Sequence, residues 1–122
     1  MEKLMLVLIA VVVTAGCSWD DEETFYPELQ ICDTLDVSFA MDVVPIMAMN
    51  CYSCHSNANA PEFTSGFALE DHADVSASSI RIVGAINHND GFLAMPRGGA
   101  GKLDTCSINT IEAWVNSGSP DN

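Results

Sequence analysis

Basic side chains are scarce in this sequence. Its 122 residues carry four, Lys3, Arg81, Arg97 and Lys102, against 17 carboxylates, for a formal charge of −13. That count excludes a nucleic-acid binder, whose affinity comes from many Lys and Arg contacts replacing phosphate counterions, and it excludes a polybasic membrane patch. A stretch long enough to span a bilayer is also missing: the uncharged apolar run Leu4–Val13 has ten residues, where about 18 to 20 are needed. Histidines number three and aromatics make up 7% of the chain, so a site built on imidazole has few candidates. Runs of alternating strand residues are lacking from Val37 onward. With 48% hydrophobic residues the chain is not disordered, and its length suits one domain.

Behind Lys3, Leu4–Val13 has the make-up of the h-region of a secretory signal, closed by Thr14-Ala15-Gly16-Cys17. A signal ending Ala-Gly-Cys resembles the lipobox of bacterial lipoproteins, with Thr14 where Leu is commonest. The resemblance implies cleavage before Cys17, acylation of that cysteine, and an exported protein lipid-anchored in the bacterial envelope, at the outer membrane and facing periplasm or cell surface. An ordinary cleavage at small residues would leave Cys17 as a thiol. The mature chain then keeps 16 acidic and three basic side chains. Asp20-Asp21-Glu22-Glu23 follows, adjacent like charges that repel one another and stay solvated. The run resembles the acidic export signal of surface lipoproteins in Bacteroidota-type envelopes, and serves equally as a spacer. The sequence therefore divides into a signal at 1–16, an acidic tether at 17–37 and one folded domain at 38–122.

Five cysteines, an odd number, need an account in an exported chain. Cys51-Tyr52-Ser53-Cys54-His55 has the C-x-x-C-H spacing of covalent haem c attachment. On a helical turn, residues at i, i+3 and i+4 share a face. Two thiols can then add across the haem vinyl groups while His55 reaches the iron, its other ring N–H going to a backbone carbonyl. A zinc site would need four ligands, and no second local C-x-x-C or H-x-x-x-H completes one. A thioredoxin-like redox pair would need a βαβ context that the pattern does not offer. With Cys17 given to lipid and Cys51 and Cys54 to haem, Cys32 and Cys106 remain, and a disulfide is their expected use.

Helical periodicity surrounds the motif. Val43, Ile46, Met47 and Asn50 follow i, i+3, i+4, i+7, with Pro45 in the first turn, which predicts a helix near Pro45–Cys51. Two short helices are expected around Asp71–Ser78 and Ile80–Ile86. In the last helix Asp104 or Thr105 caps a stripe of Ile108, Ile111, Trp114 and Val115, and Gly118 and Pro120 end it. Phe63, Phe67 and Leu69 are expected to pack on the haem or its neighbours.

A helix ending in C-x-x-C-H, a middle helix, a Met-Pro loop and a terminal amphipathic helix resemble a class I monohaem cytochrome c. The stretch from Met95-Pro96-Arg97-Gly98-Gly99 through Ile111-Glu112-Ala113-Trp114-Val115 to Pro120 is similar to small lipoprotein cytochromes of Bacteroidota and Planctomycete type. The resemblance covers about Ser38–Asn122. It implies a mostly α fold, short helices wrapped around one covalent haem c, with crossed first and last helices that bring Val43 or Met47 against Ile111 and Trp114. It also implies Met95 as the sixth ligand of the iron opposite His55, and the loop Gly91–Gly99 is long enough to cross the cofactor. Met41, Met47 and Met49 lie on or beside the helix entering the motif and read as core filler. His88, at the start of the Met95 loop, is the rival ligand. His72, beside Glu70, Asp71 and Asp74, reads as a surface histidine.

With His55 and Met95 both bound the iron would keep no open position, so outer-sphere electron transfer is the expected function, in a carrier rather than an enzyme, and methionine ligation would raise the potential. Redox proteins with a basic docking surface are the expected partners, steered by the acidic remainder toward a largely uncharged patch near Arg97 and Lys102. Two alternatives stand beside this one: a haem-based ligand-binding (gas-binding) protein with a labile Met95 side, and an electron-accepting subunit of a periplasmic dehydrogenase.

Overall fold

Pro45 shapes the start of the folded chain. It has no N–H to give the Met41 carbonyl, and in a regular α-helix its ring would crowd that carbonyl. The preceding turn, Phe39–Val43, is accordingly wound as the wider π form before α1 (Val44–Asn50) begins with Pro45 in its first turn. Ser38 caps the π turn, its hydroxyl oxygen accepting the Met41 N–H at 3.2 Å. The helix expected from Pro45 is therefore preceded by a further turn. This structure, a computed structural model, describes residues 32–98 and 101–122. The expected signal peptide, the lipid cysteine Cys17 and the acidic run Asp20–Glu23 lie outside the described residues.

After α1 come α2 (Tyr52–His55), α3 (Ala60–Phe63), α4 (His72–Ala77), α5 (Ser79–Ile86) and α6 (Thr105–Asn116). The fold is mostly helical, with no strand among the described residues. In α6 the Asp104 carboxylate accepts the Ser107 N–H at 2.9 Å and the Ser107 hydroxyl at 2.6 Å, so the cap is Asp104 rather than Thr105. Gly118, at φ +98°, turns the chain out of the helix end.

The buried stripe of α6, Ile108, Ile111 and Trp114, joins Val43 and Met47 from the first helical stretch, Val75 from α4, and Ile82 and Ile86 from α5 in one core. Trp114 is wholly buried, and its indole N–H donates to the Pro120 carbonyl at 2.9 Å, so no donor is orphaned there. Phe39 lies with its ring centroid 5.4 Å from that of Trp114. Asn122 fastens the chain after α6 to the π turn: its backbone oxygen accepts from Ala40 N–H at 3.0 Å and from the Ser38 hydroxyl at 2.8 Å, and its side-chain oxygen from Phe39 N–H at 2.8 Å.

Several expectations need correction. Met41 and Met49 are not core filler: they are 76% and 86% exposed, because Met47 alone of the three falls on the buried face. Phe63 is 60% exposed, yet it lines the same cavity as Phe67 and Leu69. His72 is half-buried rather than a surface residue. Its ring stands edge-on to Phe39 and Trp114, and its Nε2 lies 2.9 Å from the Ser119 carbonyl. Cys32–Asn122 form one compact unit. Val37 belongs to the core, and a disulfide joins Cys32 to Cys106 with Cα atoms 5.3 Å apart.

Candidate functional site

The junction of α1 and α2 places three chemically able side chains on one face. Cys51 ends α1, with its N–H on the Met47 carbonyl at 2.7 Å. Its own carbonyl then accepts from Cys54 N–H at 3.1 Å and His55 N–H at 2.8 Å, which closes the single turn of α2. Cys51, Cys54 and His55 all line a cavity of about 410 Å³, within the size range of small-molecule sites. Phe67 and Leu69, Ile82 and Ile86 of α5, and Met95 with Pro96 complete much of its largely apolar wall.

The segment returning from α3 fixes the imidazole. His55 Nδ1 lies 2.8 Å from the Phe67 carbonyl oxygen. A carbonyl can only accept, so the proton sits on Nδ1 and Nε2 keeps a lone pair. The Thr64 hydroxyl lies 2.9 Å from the same oxygen, and Leu69 N–H donates to the His55 carbonyl at 2.7 Å. The ring is thus held in one tautomer and one orientation, as a metal-binding histidine requires.

Opposite elements present Met95. Its N–H donates to the Ala85 carbonyl at 3.0 Å, and its carbonyl faces His88 Nε2 at 3.0 Å. Between these two residues the Phe92 ring lies against Gly84 of α5, where a Cβ would come within 2.5 Å of the ring. His88 is not among the cavity-lining residues, and its Nε2 is already engaged. The geometry gives it no ligand's place.

Charge is distributed unevenly around the cavity. Among the described residues no carboxylate lines it, whereas Arg81 and Arg97 do. The Arg81 guanidinium stands 4.3 Å from the centre of the Phe67 ring, in cation–π range. Burial pushes the Cys51 thiol up to about 11. A thiol-redox pair needs the opposite shift, toward the thiolate. Among the described residues no group of three or more His, Cys, Asp or Glu side chains could hold a bare metal ion. The available donors are two thiols, one imidazole nitrogen and one thioether around an apolar space.

Sequence reasoning missed the Phe67 carbonyl, Arg81 and Gly84. The first two have no spacing signature. Gly84 did carry a signal, as an isolated glycine inside an apolar helical stripe, a pattern that often marks close packing. Comparison with family models, with curated proteins and with solved structures returned no match to this chain.

Proposed function

We propose that the chain is a monohaem c-type cytochrome of class I form, an electron carrier anchored through Cys17 in a bacterial envelope. The observation that carries this is the convergence on one apolar cavity of Cys51, Cys54, His55 with its Nε2 free, and Met95. The residues fit a covalently held haem in chemistry: Cys51 and Cys54 would supply two thiols for thioether bonds, and His55 and Met95 an imidazole nitrogen and a soft sulfur to hold the iron. Bound there, a haem c supplies reversible one-electron chemistry. The protein's part is to hold and insulate. Cys51 and Cys54 fix the group covalently, and the Phe67 carbonyl keeps His55 aimed while making its nitrogen a better donor. Phe67, Leu69, Ile82 and Ile86 exclude water, and Arg81 and Arg97 offer the cavity's only positive side chains among the described residues.

Were His55 and Met95 both to hold the iron, no place would remain on it for a substrate, which supports a carrier over an enzyme. The partner would be a redox protein approaching the cavity mouth. Phe63 and Leu93 stand exposed there, the described residues put no carboxylate in the lining, and the strong negative charge elsewhere steers basic surfaces.

The test is the spectrum of the protein matured in a host that attaches haem c. The expected result is haem that survives denaturing electrophoresis, together with a weak sulfur-to-iron band in the far red of the ferric protein that disappears in Met95→Ala. Haem lost entirely to acid-acetone extraction would overturn the covalent assignment. A five-coordinate spectrum would favour the ligand-binding alternative.

A further inference from the structure

We propose that His88 is a positioning residue: it clamps the Met95 loop and so protects the sixth iron position from outside ligands, an inference that rests on the Met95 ligation proposed above. Met95 is fastened on both sides of its own backbone. Its N–H goes to the Ala85 carbonyl at 3.0 Å, and its carbonyl receives His88 Nε2–H at 3.0 Å. Since the acceptor is a carbonyl, Nε2 carries the proton of this hydrogen bond. No backbone N–H among the described residues reaches the Met95 carbonyl.

His88 adopts φ +55°, a left-handed conformation uncommon outside glycine, though His enters it more readily than most residues. In that conformation its own N–H meets the Ala85 carbonyl at 3.2 Å while its ring points back to Met95. One carbonyl at the end of α5 therefore anchors both ends of the loop, and the side chain of His88 closes it. The Phe92 ring against Gly84 adds a third fastening to the same helix.

A surface loop otherwise opens locally at small cost. A ligand that displaces the thioether binds in proportion to the open fraction. Loss of one half-buried hydrogen bond raises that fraction by about three- to tenfold. The histidine that sequence suggested as a rival to Met95 would in this way secure Met95 in its place.

The experiment is imidazole titration of the ferric holoprotein, paired with deuterium exchange of the Met95 amide. His88→Leu is expected to bind imidazole about three- to tenfold more tightly than wild type and to exchange the Met95 amide faster by a similar factor. His88→Gln, whose amide nitrogen can take the place of Nε2, is expected to stay within about twofold of wild type on both readouts. His72→Leu, which loses a comparable histidine–carbonyl contact away from the cavity, should leave imidazole affinity unchanged. Wild-type affinity and wild-type exchange in His88→Leu would overturn the clamp. If His88→Leu does not fold, His88→Asn, with an arm too short for the Met95 carbonyl, replaces it, and equality with His88→Gln is then the refuting result. Failure of the ligation reads separately, as a far-red band that persists in Met95→Ala.

Discussion

At the scale of single residues, local spacing and long-range contact differ sharply in how far they can be read. Cys51, Cys54 and His55 were legible because one helical turn dictates their common face. The acceptor that orients His55 was not, since it is a backbone carbonyl twelve positions away, and every residue has one. Gly84 illustrates the same divide. An alanine there would gain up to about 1 kcal/mol in helix propensity, yet its Cβ would meet the Phe92 ring at a separation that must be relieved by moving the ring. Overpacking of this kind costs about 1 to 3 kcal/mol. Gly84→Ala is therefore expected to lower stability by about 1 kcal/mol net, read from the urea midpoint, and to loosen the Met95 loop. A midpoint at or above wild type would mean that the ring moves freely.

Among the elements, caps and stripes were legible and the winding of the first turn was not. Asp104 announced α6 because a short acidic side chain before an apolar stripe can satisfy the free N–H groups of the first turn. The π turn had no such sign: it follows from Pro45, whose effect on the preceding turn depends on where the chain before it must go. Hydrogen bonds from Ser107 hold the Asp104 carboxyl below its ordinary range. Its contribution is accordingly complete above the ordinary carboxylate pKa and is lost as pH falls through its own lowered value. Asp104→Ala is expected to cost about 1 kcal/mol at neutral pH, with the gap to wild type narrowing in acid. Asp104→Asn, which caps without titrating, should stay close to wild type at neutral pH. Thermal melts at neutral and acid pH check both, and a gap independent of pH would contradict the cap's charge dependence.

For the whole molecule, the helical class and the segments that build the core followed from periodicity. The cysteine count also led to the Cys32–Cys106 pair, whereas the burial of Val37 carried no sign in the sequence. The disulfide spans 74 positions. The chain-entropy model assigns such a loop about 4 to 5 kcal/mol, as an upper figure. Replacing both cysteines by serine is expected to lower unfolding stability by about 2 to 5 kcal/mol, measured by denaturant titration of the protein. A change below about 1 kcal/mol would indicate that the unfolded chain was already constrained.

The same bond also decides where tension runs. A pull applied before Cys32 and after Asn122 crosses the sulfurs to Cys106 and leaves along α6. The segment between the two cysteines, which contains Cys51, Cys54, His55 and Met95, lies off the loaded path, so a protein held by its leading segment would keep the cavity and its lining mechanically unstressed. Stretching single molecules between those ends should release only the short outer segments. Adding reductant should lengthen the extended chain by roughly 250 Å, the reach of the 74 positions set free.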